Sequence, residues 1–180
     1  PAAFRELSPF PLSPVPWCPA GFILPPEHEA GKHPFHAAGL YYLQDPSAMA
    51  VAELLAAQPG ERVLDLCAAP GGKSILASVL LKPGLILANE VEGKRLGILR
   101  HNLSRCRVAD AFTQRLQPED LLQLAPEQFD LCLIDAPCSG QSLLAKGIEN
   151  PGCFHPSVIK GNARRQLRII EAGSGTVSPG

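Results

Sequence analysis

Two short stretches carry residues able to do chemistry on a bound molecule. The first, DLCAAPGGKS from Asp65 to Ser74, ends an apolar run and enters a helix through Pro70, Gly71 and Gly72. Such a turn brings backbone N–H groups and a helix N-terminus up to a ligand. Its spacing matches neither G-x-G-x-x-G nor the phosphate loop G-x-x-x-x-G-K-[ST], so a dinucleotide or a nucleoside triphosphate is disfavoured. Glu90 closes the next apolar run, about 20 residues on, where a carboxylate accepts both hydroxyls of a ribose. A ligand with an adenosine and no phosphate fits best, although a tight turn capping a helix would use the same glycines. The second stretch, DAPCSG from Asp135 to Gly140, puts Asp135 and Cys138 after a later apolar run. Most free cysteines fill cores. A thiol between Pro137 and Ser139-Gly140 sits in a turn instead, and beside a ligand crevice it suggests covalent chemistry.

Both stretches need a frame that delivers them to one rim. The runs ERVLDLCA (61–68), GLILANE (84–90), a weaker one over 111–114 and FDLCLIDAP (129–137) read as strands. Helical patterns over 70–81, 94–106 and 119–124 separate them, and their alternation predicts an α/β fold with a parallel sheet covered on both faces. Asp65, Glu90, Asp135 and Cys138 then stand at strand carboxyl ends facing one crevice. Upstream, Asp45 or Ser47 starts a further helix with Pro46 in its first turn and Met49, Val51, Ala52, Leu54 and Leu55 as apolar positions, stopped by Pro59-Gly60. The proline-rich segment from Pro1 to about Pro34 predicts an irregular or short-stranded lead-in.

The chain of 180 residues suits one domain, and 16 basic against 17 acidic side chains leave a net charge of −1. Any nucleic-acid contact is therefore local rather than global. Six scattered cysteines with no C-x-x-C pair point to a reducing, cytoplasmic setting rather than a disulfide framework. No apolar run approaches a membrane span, and the N-terminal residues lack the order of a secretory signal.

Four stretches in order, YYLQDPSAM, DLCAAPGGKS, ANE and DAPCSG, resemble the signatures of the RsmB/RsmF-type (Nop/Sun) family of S-adenosylmethionine-dependent RNA cytosine-5 methyltransferases, with VPWCPAGF and ARRQLRII similar to its bacterial ribosomal-RNA branch. The resemblance implies a Rossmann-like class I methyltransferase fold, S-adenosylmethionine as cofactor and RNA, ribosomal RNA above all, as partner, with no DNA or membrane partner. It assigns Cys67, Ala68, Ala69, Pro70, Gly71, Gly72 and Lys73 to the methionine side of the cofactor, Glu90 to the ribose, and Asp135 to the adenosine or target-base region. Arg95 would order Glu90. Carbon 5 of cytosine is a weak nucleophile, so such enzymes add a thiolate to C6, and the resulting enamine attacks the methyl before a base removes the C5 proton. A protonated Asp135 would hydrogen-bond the cytosine ring and favour that attack.

Two departures stand out. The family carries an acidic residue after its third strand for the adenine amine; AFTQRLQPED offers Gln114 and Arg115 there, with Asp110 ahead of the strand, and the adenine contact stays unassigned. The family also uses two cysteines. That of PCSG, here Cys138, is linked to product release, whereas the nucleophile lies in a Thr-Cys motif, and no Thr-Cys pair occurs in the chain. The expectation is an incomplete methyltransferase domain over 39–180, its C-terminal strands missing, behind a remnant of an N-terminal RNA-binding or linker module over 1–38. Its alternative is a catalytically silent cofactor-binding or RNA-associated remnant; Pro137-Cys138 also resembles the Pro-Cys thiol that DNA cytosine-5 methyltransferases use as nucleophile. A small-molecule methyltransferase is disfavoured, since its site seldom needs a Pro-Cys turn. No metal is expected, because His33 and His36 lack further ligands at fitting spacing and suit loop packing. Cys132 reads as a core filler. Arg164, Arg165 and Arg168 fit a solvated helix face or an RNA phosphate contact equally well, and Tyr41 and Tyr42 suit core closure more than base stacking.

Overall fold

The computed structural model describes residues 2–25, 27–81 and 84–179, which leaves Pro1 and Pro26 of the lead-in, Lys82, Pro83 and Gly180 outside the described residues. The lead-in is more regular than its prolines predict. Helix α1 (Ala2–Leu7) precedes an antiparallel hairpin of β1 (Ser13–Val15) and β2 (Cys18–Ile23), followed by the short helix α2 (Pro34–Ala37) and α3 (Pro46–Leu54). Asp45 caps α3 by accepting from the Ser47 amide at 3.0 Å, with Pro46 in its first turn. The apolar positions of α3 divide. Met49 is buried, while Val51 and Leu54 are exposed, because only one side of this short helix meets the rest of the chain. Met49 packs with Val15 and Cys18 of the hairpin and Leu76 of the next helix, so the lead-in shares a core with the α/β unit.

That unit alternates as expected: β3 (Arg62–Asp65), α4 (Gly72–Leu81), β4 (Leu85–Asn89), α5 (Gly93–Arg105), β5 (Ala111–Gln114), α6 (Pro118–Leu124), β6 (Leu131–Leu133) and α7 (Pro156–Ser174). The four strands form one parallel sheet in the order β5-β4-β3-β6. β3 therefore has partners on both edges and helices on both faces, which is why Val63 and Leu64 are both fully buried. Period-2 alternation sends Val63 to the face covered by α4 and α5, where Ala77, Leu96, Leu99 and Leu103 pack. Leu64 and Leu66 meet α6 and α7 through Leu121 and Ile169. The chain winds from β3 to β5 under one face, then crosses to β6 on the far side of β3, and this reversal opens a crevice at the strand carboxyl ends. Beyond β6, Phe129 makes an isolated parallel bridge to Val177, with Ser178 N donating to Phe129 O at 2.9 Å, so the residues after α7 continue the sheet beside β6.

Candidate functional site

A cleft of about 530 Å³ lies at the carboxyl ends of the strands. All four strands of the parallel sheet contribute to its wall: Leu66 and Cys67 after β3, Glu90 to Glu92 after β4, Gln117 to Glu119 after β5 and Pro137 after β6, with Arg95 of α5 and Arg165, Arg168 and Ile169 of α7 completing it. Asn89 holds three of these strand ends together. Its buried amide donates to Leu66 O (3.2 Å) and Leu116 O (3.0 Å), and its Oδ1 accepts from Leu116 N (3.0 Å). Residue type alone does not reveal that role, since an asparagine ending a strand reads as an ordinary turn residue.

The Gly-rich turn is built from within. Ala69-Pro70 is a cis peptide bond, and Gly71 has φ +110°, a conformation that favours glycine, with Leu99 Cδ1 only 3.1 Å from where a Cβ would sit. At Gly72 a Cβ would approach Gln44 Oε1 to 2.5 Å and Tyr42 to 2.8 Å, so packing against the YYLQ segment itself demands glycine there. Asn102 donates to Pro70 O at 2.8 Å and Arg95 to Ala69 O at 2.7 Å, anchoring the turn on α5. Ala68 and Ala69 are buried beneath it.

Two buried carboxylates stand at neighbouring strand ends, Glu90 in the cleft wall and Asp65 outside it. Asp65 is 1% exposed; its Oδ2 accepts from Ser74 Oγ at 2.6 Å, and its Oδ1 has no hydrogen-bond partner among the described residues. Burial raises its pKa to about 6, against the lowering pull of Ser74, Lys73 and the Cys67 amide. Glu90 is 2% exposed, and its Oε1 accepts from the Glu92 amide at 3.0 Å. Its Oε2 lies 3.4 Å from Arg95 Nη1 yet makes no hydrogen bond among the described residues, so Arg95 neutralises the acid while leaving an acceptor free. The expected ordering of Glu90 by Arg95 is present, and the same guanidinium fixes the Gly-rich turn.

The cysteines separate by environment. Cys67 lines the cleft, but burial, reinforced by Asp65, Glu90 and Asp135, pushes its thiol up to about 12, leaving it protonated and a poor nucleophile. Burial does the same to Cys132, also to about 12, in keeping with a filler that packs near α7. Cys138 is exposed, with Sγ accepting from Gly140 N at 3.3 Å in a turn whose Gly140 is left-handed. Neither Cys138 nor Asp135 belongs to the cleft lining; Pro137 does. Asp135 instead accepts from Lys73 Nζ at 2.7 Å, which binds the DAPC turn to the Gly-rich turn. Asp135 is thus held as the acceptor of an ion pair, because the lysine of the first motif lies directly across from it.

Other candidates resolve into structure. His33 accepts from the Phe35 amide as the cap of α2, and His36 packs against Tyr41. Tyr41 donates to Ala30 O at 2.6 Å, and Tyr42 lies under Arg105, so both close the lead-in against α5. Arg115 donates to Val91 O rather than entering the cleft, Gln114 is exposed at the end of β5, and Gln117, three residues further on, is the one in the wall. Gln117 and the two α7 arginines were not placed in the cleft by the sequence; they come from elements distant in the chain.

Comparison with known proteins matches this architecture to one group. Residues 52–180 match the family model of the 16S rRNA methyltransferase RsmB/F, and residues 1–46 that of the N-terminal domain of 16S rRNA methyltransferase RsmF. The chain is 35% identical over 176 residues to ribosomal RNA small subunit methyltransferase F of Cronobacter sakazakii and 34% identical over 175 residues to that of Serratia proteamaculans. Each alignment covers 94% of this chain and 37% of the relative, so the chain spans about 37% of the length of these curated relatives. Among solved structures, a methyltransferase homolog protein from Pyrococcus horikoshii superposes with a TM-score of 0.82 at 31% identity over 99% of this chain and 56% of its own. NSun6 from the same organism, solved with SFG, gives a TM-score of 0.70 at 26% identity over 82% of this chain and 38% of its own. With that family model matched from residue 52 to residue 180, well over half its length, the chain belongs to the RsmB/F methyltransferase family.

Proposed function

We propose that this chain is the cofactor-binding core of an S-adenosylmethionine-dependent RNA cytosine-5 methyltransferase that acts on ribosomal RNA in the cytoplasm. The observation that carries the reading is Glu90. It lines the cleft, is almost fully buried, and keeps Oε2 without a hydrogen bond among the described residues, which is an acceptor suited to a vicinal diol. The backbone from Cys67 to Gly72 and the α4 N-terminus would lie along the methionine portion, with Lys73 and Asp135 beside it. The cofactor supplies an electrophilic methyl on a sulfonium. This chain's residues orient it: Arg95 holds Glu90 and Ala69 in fixed relation, and the Lys73–Asp135 pair fixes the PCSG turn so that Cys138 presents its thiol at the rim.

A second reading, binding without transfer, is favoured by one observation: the 180 residues contain no Thr-Cys pair to act as nucleophile. Both readings keep the division into an N-terminal module over 1–38 and a methyltransferase unit over 39–180. Calorimetric titration of S-adenosylmethionine and S-adenosylhomocysteine into the chain tests the shared part. Binding by the wild type that is lost in Glu90→Ala and Asp65→Ala supports the site. Equal affinity in wild type and Glu90→Ala rejects it. A methyl-transfer assay on ribosomal RNA then separates the readings, the second predicting none and a Cys138-dependent product rejecting it.

A further inference from the structure

Helix α7 carries Arg164, Arg165 and Arg168, which fall within about 100° of arc on a helix of 3.6 residues per turn. Arg164 and Arg168 border the face that buries Ile169, Ala172 and Gly173, Arg165 falls between Ala172 and Ile169 around the helix, and Arg165 and Arg168 line the cleft. Among the described residues no carboxylate pairs with any of the three, although Glu90, Glu92 and Glu119 line the same cleft. Three neighbouring guanidiniums left without counterions among the described residues make an anion favourable at the α7 wall. The helix is also locked in rotation. Gln166, between the two cleft arginines, donates to Pro137 O at 3.0 Å. An anion held there has a fixed position relative to the turn that carries Cys138.

We propose that Arg165 and Arg168 clamp the phosphodiester backbone of single-stranded RNA next to the nucleotide presented to the cleft. The assignment rests on the methyltransferase reading above. Planar guanidinium forks match phosphate oxygens, and a base taken out of its stack brings its flanking phosphates to the pocket mouth. The α7 arginines would thus position the substrate strand rather than hold the cofactor.

The test is fluorescence anisotropy of a short labelled, cytosine-containing single-stranded RNA against the chain saturated with S-adenosylhomocysteine, between about 50 and about 200 mM KCl. Arg165→Gln/Arg168→Gln is compared with Arg100→Gln/Arg107→Gln, which removes equal charge outside the cleft lining, outside α7 and outside residues 1–38. The expected result is a salt slope of log K reduced in magnitude by about 1.4 for the cleft variant, since each phosphate contact on a single strand contributes about 0.7. The control slope and the calorimetric affinity of both variants for S-adenosylhomocysteine stay at wild-type values. An unchanged slope, a slope change shared by the control, or no RNA binding by the cofactor-bound chain overturns the assignment. So does a loss of cofactor affinity in the cleft variant with the slope retained, which would give the arginines to the cofactor carboxylate. Failure of the wild type to bind S-adenosylhomocysteine is the separate result that rejects the methyltransferase reading itself, and the arginine assignment falls with it.

Discussion

Ser74→Ala isolates what holds a buried charge under the Gly-rich turn. The substitution removes the hydroxyl that donates to Asp65 Oδ2 at 2.6 Å, beside an Oδ1 that already lacks a hydrogen bond. In the wild type burial raises the Asp65 carboxyl from 3.8 to about 6. A raised folded value means that the group's contribution to stability is complete below about pH 4 and is lost as pH rises through about 6. The gap between the two values corresponds to about 3 kcal/mol. Removing Ser74, whose hydrogen bond lowers that value, deepens the loss: the bond is worth about 1.5–3 kcal/mol to the ionised carboxylate and about 1 kcal/mol to the protonated acid. Urea denaturation followed by circular dichroism at pH 4 and pH 8 reads the difference. Ser74→Ala is expected to cost about 2 kcal/mol at pH 8 and about half that at pH 4. In an Asp65→Asn background the cost should be the same at both. A cost that is equal at the two pH values in the wild-type background, or larger at pH 4, would refute the account of Asp65 as a buried carboxylate steadied by Ser74.

Two further outcomes follow from the same site. Alkylation with iodoacetamide at pH 8, read by mass spectrometry of peptides, should modify exposed Cys138 first and leave Cys67 and Cys132, whose thiols are pushed up to about 12, unmodified on that timescale; faster labelling of Cys67 would contradict its burial. Gly71→Ala should destabilise the fold by about 1–3 kcal/mol, because φ +110° is strained for any L side chain and the new Cβ meets Leu99; a denaturation midpoint equal to the wild type's would count against that backbone conformation.

The alternation of apolar runs and helical patterns determined the order of elements, since strand and helix periods are local properties of sequence. The α/β class and the boundaries of β5 were legible there, and the start of α3 was narrowed to Asp45 or Ser47, between which the structure selects Asp45; a Gly-rich turn and a strand-ending acid announce themselves by residue type. The helix α1 was not, for six residues among prolines carry too little periodicity to compete with the turn signals around them. Likewise the exposure of Val51 and Leu54 depends on what α3 meets, and no pattern within the helix encodes that. Tertiary structure alone decided which charges share the cleft. Arg165 and Arg168 are 75 and 78 positions from Glu90 in the chain, yet the crossover to β6 and the Gln166 bond to Pro137 bring α7 to the wall that β4 begins. The pairing of Lys73 with Asp135 arises for the same reason: β3 and β6 are neighbours in the sheet although 65 and 131 are far apart in sequence, and Coulomb attraction acts on distance in space.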